Sequence, residues 1–446
     1  GSPKETPVSP HSTEPDRTAA DRTAADRTPA DREPVIVLGR RTAFGRVKGG
    51  LSQLTADRLL APVLAALLAD AGVDRSAVDD VIIGNAVGGG GNVARLALLR
   101  AGLPVSVPGL TVDRQCGSGL EAIVLACRLV AAGAGSLYLA GGVESCSTAP
   151  LRAHRLSSTP GKPDFFDRVR FSPDEVGDPE MGVAAENVAE RFGIDRERQD
   201  AFALRSHRLA IAATESGLLA ADLVALETGV GLVDADEGPR RTLTAGLLGR
   251  FDPAFRAGGT VTAGNSCADA DGAVVVLVTS RGAADSLGLR GLAFVDAAVT
   301  GTDPNLLGVA GGEAASLLLE RHGLTGADLS LIEYNEAFAA QVLASLDLLG
   351  IVEERANLHG GALALGHPFG ASGALLVLSL LQQCRVTAAA GSLGLTAVSI
   401  AGGLGAAALW RWDGATETPH RPRPGAVRGI LKDKKHVPPR PPYPRD

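Results

Sequence analysis

In "DRQCGSGLEAIVLACRLV", residues 113–130, a cysteine stands at the mouth of an apolar helical run, with Gly-Ser-Gly directly after it. Cys116 precedes the periodic segment instead of lying inside it, and the small residues beside it let another group approach the sulfur. A helix beginning near Ser118 would put the thiol at a positive N-terminal pole, which lowers a thiol pKa and favours the nucleophilic thiolate. A buried, inert cysteine is the plain alternative. A second segment, "HGGALALGHPFGASGA" (359–374), holds His367 between Gly366 and Pro368. A histidine in a glycine-rich turn, open to close approach, suits a general base or an oxyanion donor. In "NEAFAAQ" (335–341), Asn335 and Glu336 fall between a strand and a helix. Asparagine is also a preferred helix cap, so a capping role stays open. A fourth segment, "TAVSIAGGLG" (396–405), runs from a strand into a glycine turn. The glycines of "VGGGGN" (87–92) lack the GxGxxG spacing and the later acidic residue of a dinucleotide site.

The elements that must position these groups alternate. Short β-branched runs ("PVIVLG", "VDDVIIGN", "SLYLAGG", "AVVVLVTS") are separated by amphipathic stretches, which predicts an α/β fold with a parallel or mixed sheet. The chain also echoes itself. "LLADAGVDRSAVDDVIIGN" (67–85) resembles "LLERHGLTGADLSLIEYN" (318–335), and "LYLAGGVE" (137–144) resembles "VSIAGGLG" (398–405). Ser118-Gly119 and Ser372-Gly373 each precede an apolar helix. Three matches in one order predict two similar halves. The expected organisation is an N-terminal half over 34–147 and 268–292, a C-terminal half over 293–412, and an inserted loop subdomain over 148–267. The repeat "DRTAADRTAADRTPADRE" marks 1–33 as a disordered low-complexity tail. Residues 413–446, rich in Pro and Arg, read as a second disordered tail or as a docking segment for a protein partner.

With 446 residues, 45% of them hydrophobic, the chain can bury a large core. A net charge of −7 and 4% aromatic content argue against a nucleic-acid partner. Five scattered cysteines without a CxxC pair indicate neither a zinc site nor a disulfide framework, so no metal site is expected and a reducing, cytoplasmic setting is. An unbroken apolar run of membrane-spanning length is absent, and no membrane association is expected.

Taken together and in order, the four segments resemble the thiolase family, the acyl-CoA acetyltransferases that make or split 3-ketoacyl-CoA. "RRTAFGRVKGGLS", "AGGVES", "MGVAAENVAERFGI", "RQDAFALRSH" and "GTVTAGNSCADADGA" extend the likeness from about Pro34 to Trp412. The resemblance implies a duplicated five-layer α/β/α/β/α fold with a coenzyme-A-binding loop subdomain, assembled as a homodimer or homotetramer. It implies no permanently bound cofactor, with coenzyme A thioesters as substrates. By that resemblance Cys116 is the acylated nucleophile, His367 its activator, and Asn335 the holder of an oxyanion-site water. Arg240 matches a coenzyme A contact, and Met181, Phe255, Ala263, Ala337 and Phe338 match walls of the pantetheine and acyl pocket.

This chain departs from the family pattern at several positions. Ser399 stands where the family has the cysteine that deprotonates the second acyl-CoA. Ala401 replaces a glycine whose backbone N–H joins that of Cys116 in an oxyanion hole, and Cys267 replaces a coenzyme-contacting serine. Glu180 stands where a histidine is frequent, and Val309-Ala310 replaces a Gly-Pro turn. A serine hydroxyl is a far weaker acid than a thiol, so acyl-enzyme formation is expected intact and condensation handicapped. The expected function is a thiolase-like acyl-CoA C-acyltransferase working through an acyl-cysteine. Two other classes stand beside it: decarboxylative condensation or acyl transfer from the same acyl-cysteine, and a non-catalytic acyl-CoA-binding scaffold.

Overall fold

The computed structural model describes residues 28–154 and 163–414. The chain begins with β1 (Pro34–Thr42), β2 (Gly45–Arg46), α1 (Ala56–Ala71), β3 (Asp80–Gly84), α2 (Val93–Arg100), β4 (Gly109–Val112), α3 (Ser118–Ala131) and β5 (Leu137–Ser145). A looser stretch follows with β6 (Arg152–His154), β7 (Asp164–Phe166), α4 (Met181–Phe192), α5 (Arg196–Glu215), β8 (Leu223–Val224), β9 (Leu226–Thr228), β10 (Gly231–Val233) and α6 (Ala245–Leu248). Then come β11 (Ala270–Ser280), α7 (Arg281–Ser286), β12 (Leu292–Gly301), α8 (Ala310–Arg321), β13 (Leu331–Tyr334), α9 (Ala339–Leu348), α10 (Ala362–Leu365), α11 (Phe369–Thr387), β14 (Leu393–Ile400) and β15 (Leu404–Trp412).

Eleven strands join in the order β4-β3-β5-β11-β1-β12-β15-β14-β13, with β2 on β11 and β8 on β1. The two halves of this sheet meet at a short seam, where Val35 pairs with Ala293 and Ile36 with Leu292. Strand periodicity then separates the cores. Along β11, Val274, Val276 and Val278 face α3 and α11, while Ala273, Val275 and Leu277 face α1 and α2. Along β15, Ala408 and Trp410 face inward, while Ala407 and Leu409 face α8 and α9. Five layers result: α1 and α2, one half-sheet, α3 and α11, the other half-sheet, α8 and α9. This is the expected α/β/α/β/α fold.

The central helices cross at glycines. A β-carbon on Gly119 would lie 2.6 Å from Gly370 O, and one on Gly373 would lie 2.6 Å from Leu120 N. Helix α11 is long and apolar enough to cross a membrane, but it is largely buried between the half-sheets, which accounts for its composition.

The first sequence echo holds in space: β3 ends beside Asn85 and β13 beside Asn335. The second does not hold in register. Gly84 pairs with Gly142 in one half and Tyr334 with Ala397 in the other, so Gly142 corresponds to Ala397 and not to Gly403. Gly141 and Gly142 lie inside β5, whereas Gly402 and Gly403 turn the chain between β14 and β15 with φ of 87° and 80°.

Of the two tails, residues 1–27 and 415–446 lie outside the described residues. The ends of the described chain are tied together. A short 3-10 turn spans Ala30–Arg32, and Glu33 pairs with Arg281 and Arg411. Asp413 also pairs with Arg281 and accepts from Gly291 N–H at 2.5 Å. Glu33 and Asp413, assigned to tails by composition, are therefore tied to the edge of the packed body.

Candidate active site

The cysteine turn is built by local side-chain bonds. Gln115 adopts a left-handed φ of 46° and is held there by Asp113, whose carboxylate accepts from its N–H at 2.7 Å. Ser118 Oγ donates to Gln115 O at 2.6 Å and accepts from Arg114 N–H at 2.8 Å. A side chain on Gly117 would collide with Ile400, which shows how tightly the end of β14 lies against this turn. The backbone N–H of Ala401, just past that strand end, and that of Cys116 itself act on the thiol by lowering its pKa.

The thiol pKa moves opposite to the sequence expectation. Burial pushes it up to about 11, outweighing those two donors, and the carboxylates of Glu144 and Asp269 push the same way. Cys116 is a neutral thiol near neutral pH. Desolvation of the sulfur here outweighs the pull of a helix start toward the thiolate. Here a base must take the proton.

His367 is the candidate for that role. Gly366 takes φ 96° and ψ 171°, a conformation L side chains rarely adopt, and delivers the imidazole into the interior. The His367 N–H donates to Ala268 O at 2.8 Å, and the ring meets Phe369 edge-on at 5.0 Å. Ser372 Oγ gives its single proton to Pro368 O at 3.1 Å, so toward His367 Nδ1, 2.6 Å away, it acts as acceptor. Nδ1 then carries the ring proton, and Nε2 presents a lone pair. Nε2 is buried with no partner among the described residues. Burial lowers the imidazole pKa to about 4, which keeps the ring neutral.

Asn335 follows β13, and its N–H extends the ladder to Ala397 O at 3.0 Å. It does not cap α9, whose N-cap is Phe338, so the capping alternative fails. Its Nδ2 is the second buried polar atom near the site without a partner among the described residues. The neighbouring Glu336 anchors this corner by accepting from Ser206 Oγ at 2.6 Å, Asn357 Nδ2 at 2.8 Å and Leu363 N–H at 3.2 Å.

Ser399 is bonded elsewhere. It alternates with Val398 and Ile400, which face the central helices, so its side chain belongs to the α8/α9 side with Ala397. Its hydroxyl donates to Gly308 O at 2.6 Å, accepts from Gly311 N–H at 3.1 Å and lies 2.9 Å from Tyr334 OH. No hydrogen bond joins it to Cys116, His367 or Asn335 among the described residues.

Segment 266–269 ties the pieces together. Ser266 bridges to Phe338, Cys267 N–H donates to Ala337 O at 2.9 Å, and Asp269 bridges to His367. Buried Asn265 anchors this segment through Asp200 and Thr260 O. Phe255 meets Phe338 edge-on at 6.1 Å and covers Gly182, the residue after Met181. Ala263 and Arg240 are exposed; the Arg240 N–H donates to His207 Nδ1 at 3.1 Å, and its guanidinium has no ion pair among the described residues. The structure thus joins Cys116 to Ala401, and Cys267 to the Asn335 and His367 segments. It holds Ser399 in a separate network. Sequence reasoning gave no role to Ser372, Glu336 or Asn265, although Ser372 carried a signal, the Ser-Gly echo with Ser118. Among the described residues no group of three or more His, Cys, Asp or Glu is disposed to hold a metal.

Comparison with known proteins decides the family. The thiolase N-terminal domain model matches residues 34–282 and the thiolase C-terminal domain model matches 291–411. The chain belongs to the thiolase family. It is an acyltransferase of the thiolase type. This thiolase is 45% identical over 379 residues, 84% of its own length and 98% of the other's, to a Staphylococcus aureus protein named "Putative acetyl-CoA C-acetyltransferase VraB". It is 44% identical over 388 residues, 85% and 99% of the two chains, to the protein of that name in Staphylococcus epidermidis. In three dimensions it matches the crystal structure of the Bacillus anthracis acetyl-CoA acetyltransferase with a TM-score of 0.81 at 35% identity, covering 86% of this chain and 100% of that one.

Proposed function

We propose that this thiolase transfers acyl groups between coenzyme A thioesters through an acyl-Cys116 intermediate, forming or cleaving 3-ketoacyl-CoA, with acetyl-CoA as a substrate. One observation carries the reading: the buried His367 Nε2 is left without a partner among the described residues while its Nδ1 is pinned by Ser372. In acylation, Nε2 takes the thiol proton as Sγ attacks the thioester carbonyl. The proton then passes to the departing coenzyme A sulfur. Because thiol and imidazole both rest neutral, proton transfer accompanies attack and no standing ion pair precedes it. The N–H groups of Ala401 and Cys116 are suited to the oxyanion of the tetrahedral intermediate, and Asn335 Nδ2 to the enolate oxygen of the second substrate.

Arg240 is assigned to the phosphates of coenzyme A, and Met181, Phe255, Ala263, Cys267, Ala337 and Phe338 to its pantetheine and acyl arm. Exposed apolar residues on α2 and the edge strand β4, Leu96, Leu99 and Leu110, support a homodimer across that edge. The five cysteines are free thiols, consistent with a cytoplasmic protein.

The test is intact mass after incubation with acetyl-CoA and, separately, malonyl-CoA. One acetyl adduct and acetoacetyl-CoA from acetyl-CoA alone support the reading. Product from malonyl-CoA only would move the chain to decarboxylative condensation, and binding without an adduct would make it a scaffold.

A further inference from the structure

Ser399 spends its hydroxyl on Gly308, Gly311 and Tyr334, which leaves the carbon–carbon step without an evident base. Two aspartates open β11, and they differ. Asp271 is fully buried, and its carboxylate accepts from Ser147 N–H at 2.9 Å and Ser147 Oγ at 2.6 Å. Asp269, just before the strand, has no hydrogen bond or ion pair to its carboxylate among the described residues. Its backbone pairs in parallel with His367. Side chains of residues paired across such a bridge project to the same side, so carboxylate and imidazole share a face. The Asp269 charge also reaches the thiols of Cys116, Cys146 and Cys267. Asp269 thus stands among the cysteines, beside the histidine, and still open to an incoming molecule.

We propose that Asp269 is a catalytic residue, the base that removes the α-proton of the second acyl-CoA. The inference rests on the acyl-Cys116 reading above. An Asp269 oxygen takes the proton, and the C–H electron pair becomes the enolate double bond. The charge moves to the thioester oxygen, which Asn335 Nδ2–H receives. The enolate carbon bonds to the acyl carbon on Cys116, the acyl C–S bond breaks, and its electron pair returns to Sγ. The sulfur recovers the proton held by Asp269 through His367, so no further reactant is needed. Partial desolvation raises the pKa of this carboxylate even though the residue keeps an exposed face, which makes it a stronger base than a fully solvated aspartate.

The experiment compares the natural chain with Asp269→Asn and Asp269→Glu. Three quantities are measured: acetyl adduct on Cys116, deuterium uptake from D₂O into the α-position of acetyl-CoA, and acetoacetyl-CoA formation. Asp269→Asn should acylate within about threefold of the natural rate but lose about 10²–10⁴ in exchange and condensation. Asp269→Glu should recover part of both. Undiminished exchange in Asp269→Asn overturns the inference alone. Loss of acylation in Asp269→Asn equal to its loss of exchange also overturns it, because the residue would then act on the whole site. No adduct on the natural chain overturns the acyl-cysteine reading, and the inference with it.

Discussion

Ser118 and Ser372 stand at matching places in the two halves, each at the start of a central helix, and each bonds backwards into its own turn. Ser118 donates to Gln115 O and accepts from Arg114 N–H; Ser372 donates to Pro368 O and accepts from the His367 ring. The same local device fixes the Cys116 turn in one half and holds the His367 ring in the other. Asn85 and Asn335 make a second pair, each at the end of its strand. Asn85 Nδ2 is used up by Glu144 at 2.7 Å and Val143 O at 3.0 Å. Asn335 Nδ2 is buried and unused among the described residues. Buried polar atoms are nearly always satisfied within a protein, so the two asparagines divide labour: Asn85 closes its bonds, and Asn335, with His367, is the candidate for meeting a ligand.

The largest expected break in this comparison is His367→Ala, which should slow acylation of Cys116 by about 10²–10⁴ in single-turnover mass measurements. A rate within a few-fold of the natural one would remove His367 from the chemistry. Next is the asparagine pair. Asn335→Ala should cost the carbon–carbon step about 10²–10³ with little change in melting temperature. Asn85→Ala should instead destabilise the fold by about 1–3 kcal/mol, because Glu144 stays buried with one donor fewer. The reverse pattern would break the division.

The serine pair sharpens it. Ser372→Ala should forfeit part of the rate that a positioned base supplies, read as a fall in kcat with KM held, because Nδ1 loses its acceptor. Ser118→Ala should appear mainly in thermal melts. The smallest catalytic effect is expected at Ser399. Ser399→Ala should destabilise the fold by about 1–3 kcal/mol, from the partners it leaves behind. Ser399→Cys should not raise acetoacetyl-CoA formation, since residue 399 faces Gly308 and Gly311. A clear rise would return it to the proton chemistry.

The α/β alternation and the duplication were legible because they depend on short-range pattern, and Cys116, His367 and Asn335 stood out as candidates for the same reason. A glycine beside a histidine marks an unusual backbone, and Gly366 has one. What escaped depends on distant neighbours. "LYLAGG" and "VSIAGG" look alike, yet one lies inside β5 and the other turns the chain, a difference set by pairing with β3 and β13. The Ser399 partners come from Gly308, Gly311 and Tyr334, far away in sequence, so its commitment could not be read locally. The same holds for the Cys116 thiol: the helix start was visible, but the burial that reverses its effect was not. Asp269 gave no sequence signal, since only folding sets it beside His367.

Intact-mass analysis of the natural chain and of Cys116→Ala after brief exposure to acetyl-CoA, with peptide mapping of the product, tests the central claim most directly. The account predicts one acetyl group per natural chain, on Cys116, and none on the Cys116→Ala chain. An adduct that persists after that substitution, carried by Cys267, Cys146 or Ser399, would contradict it.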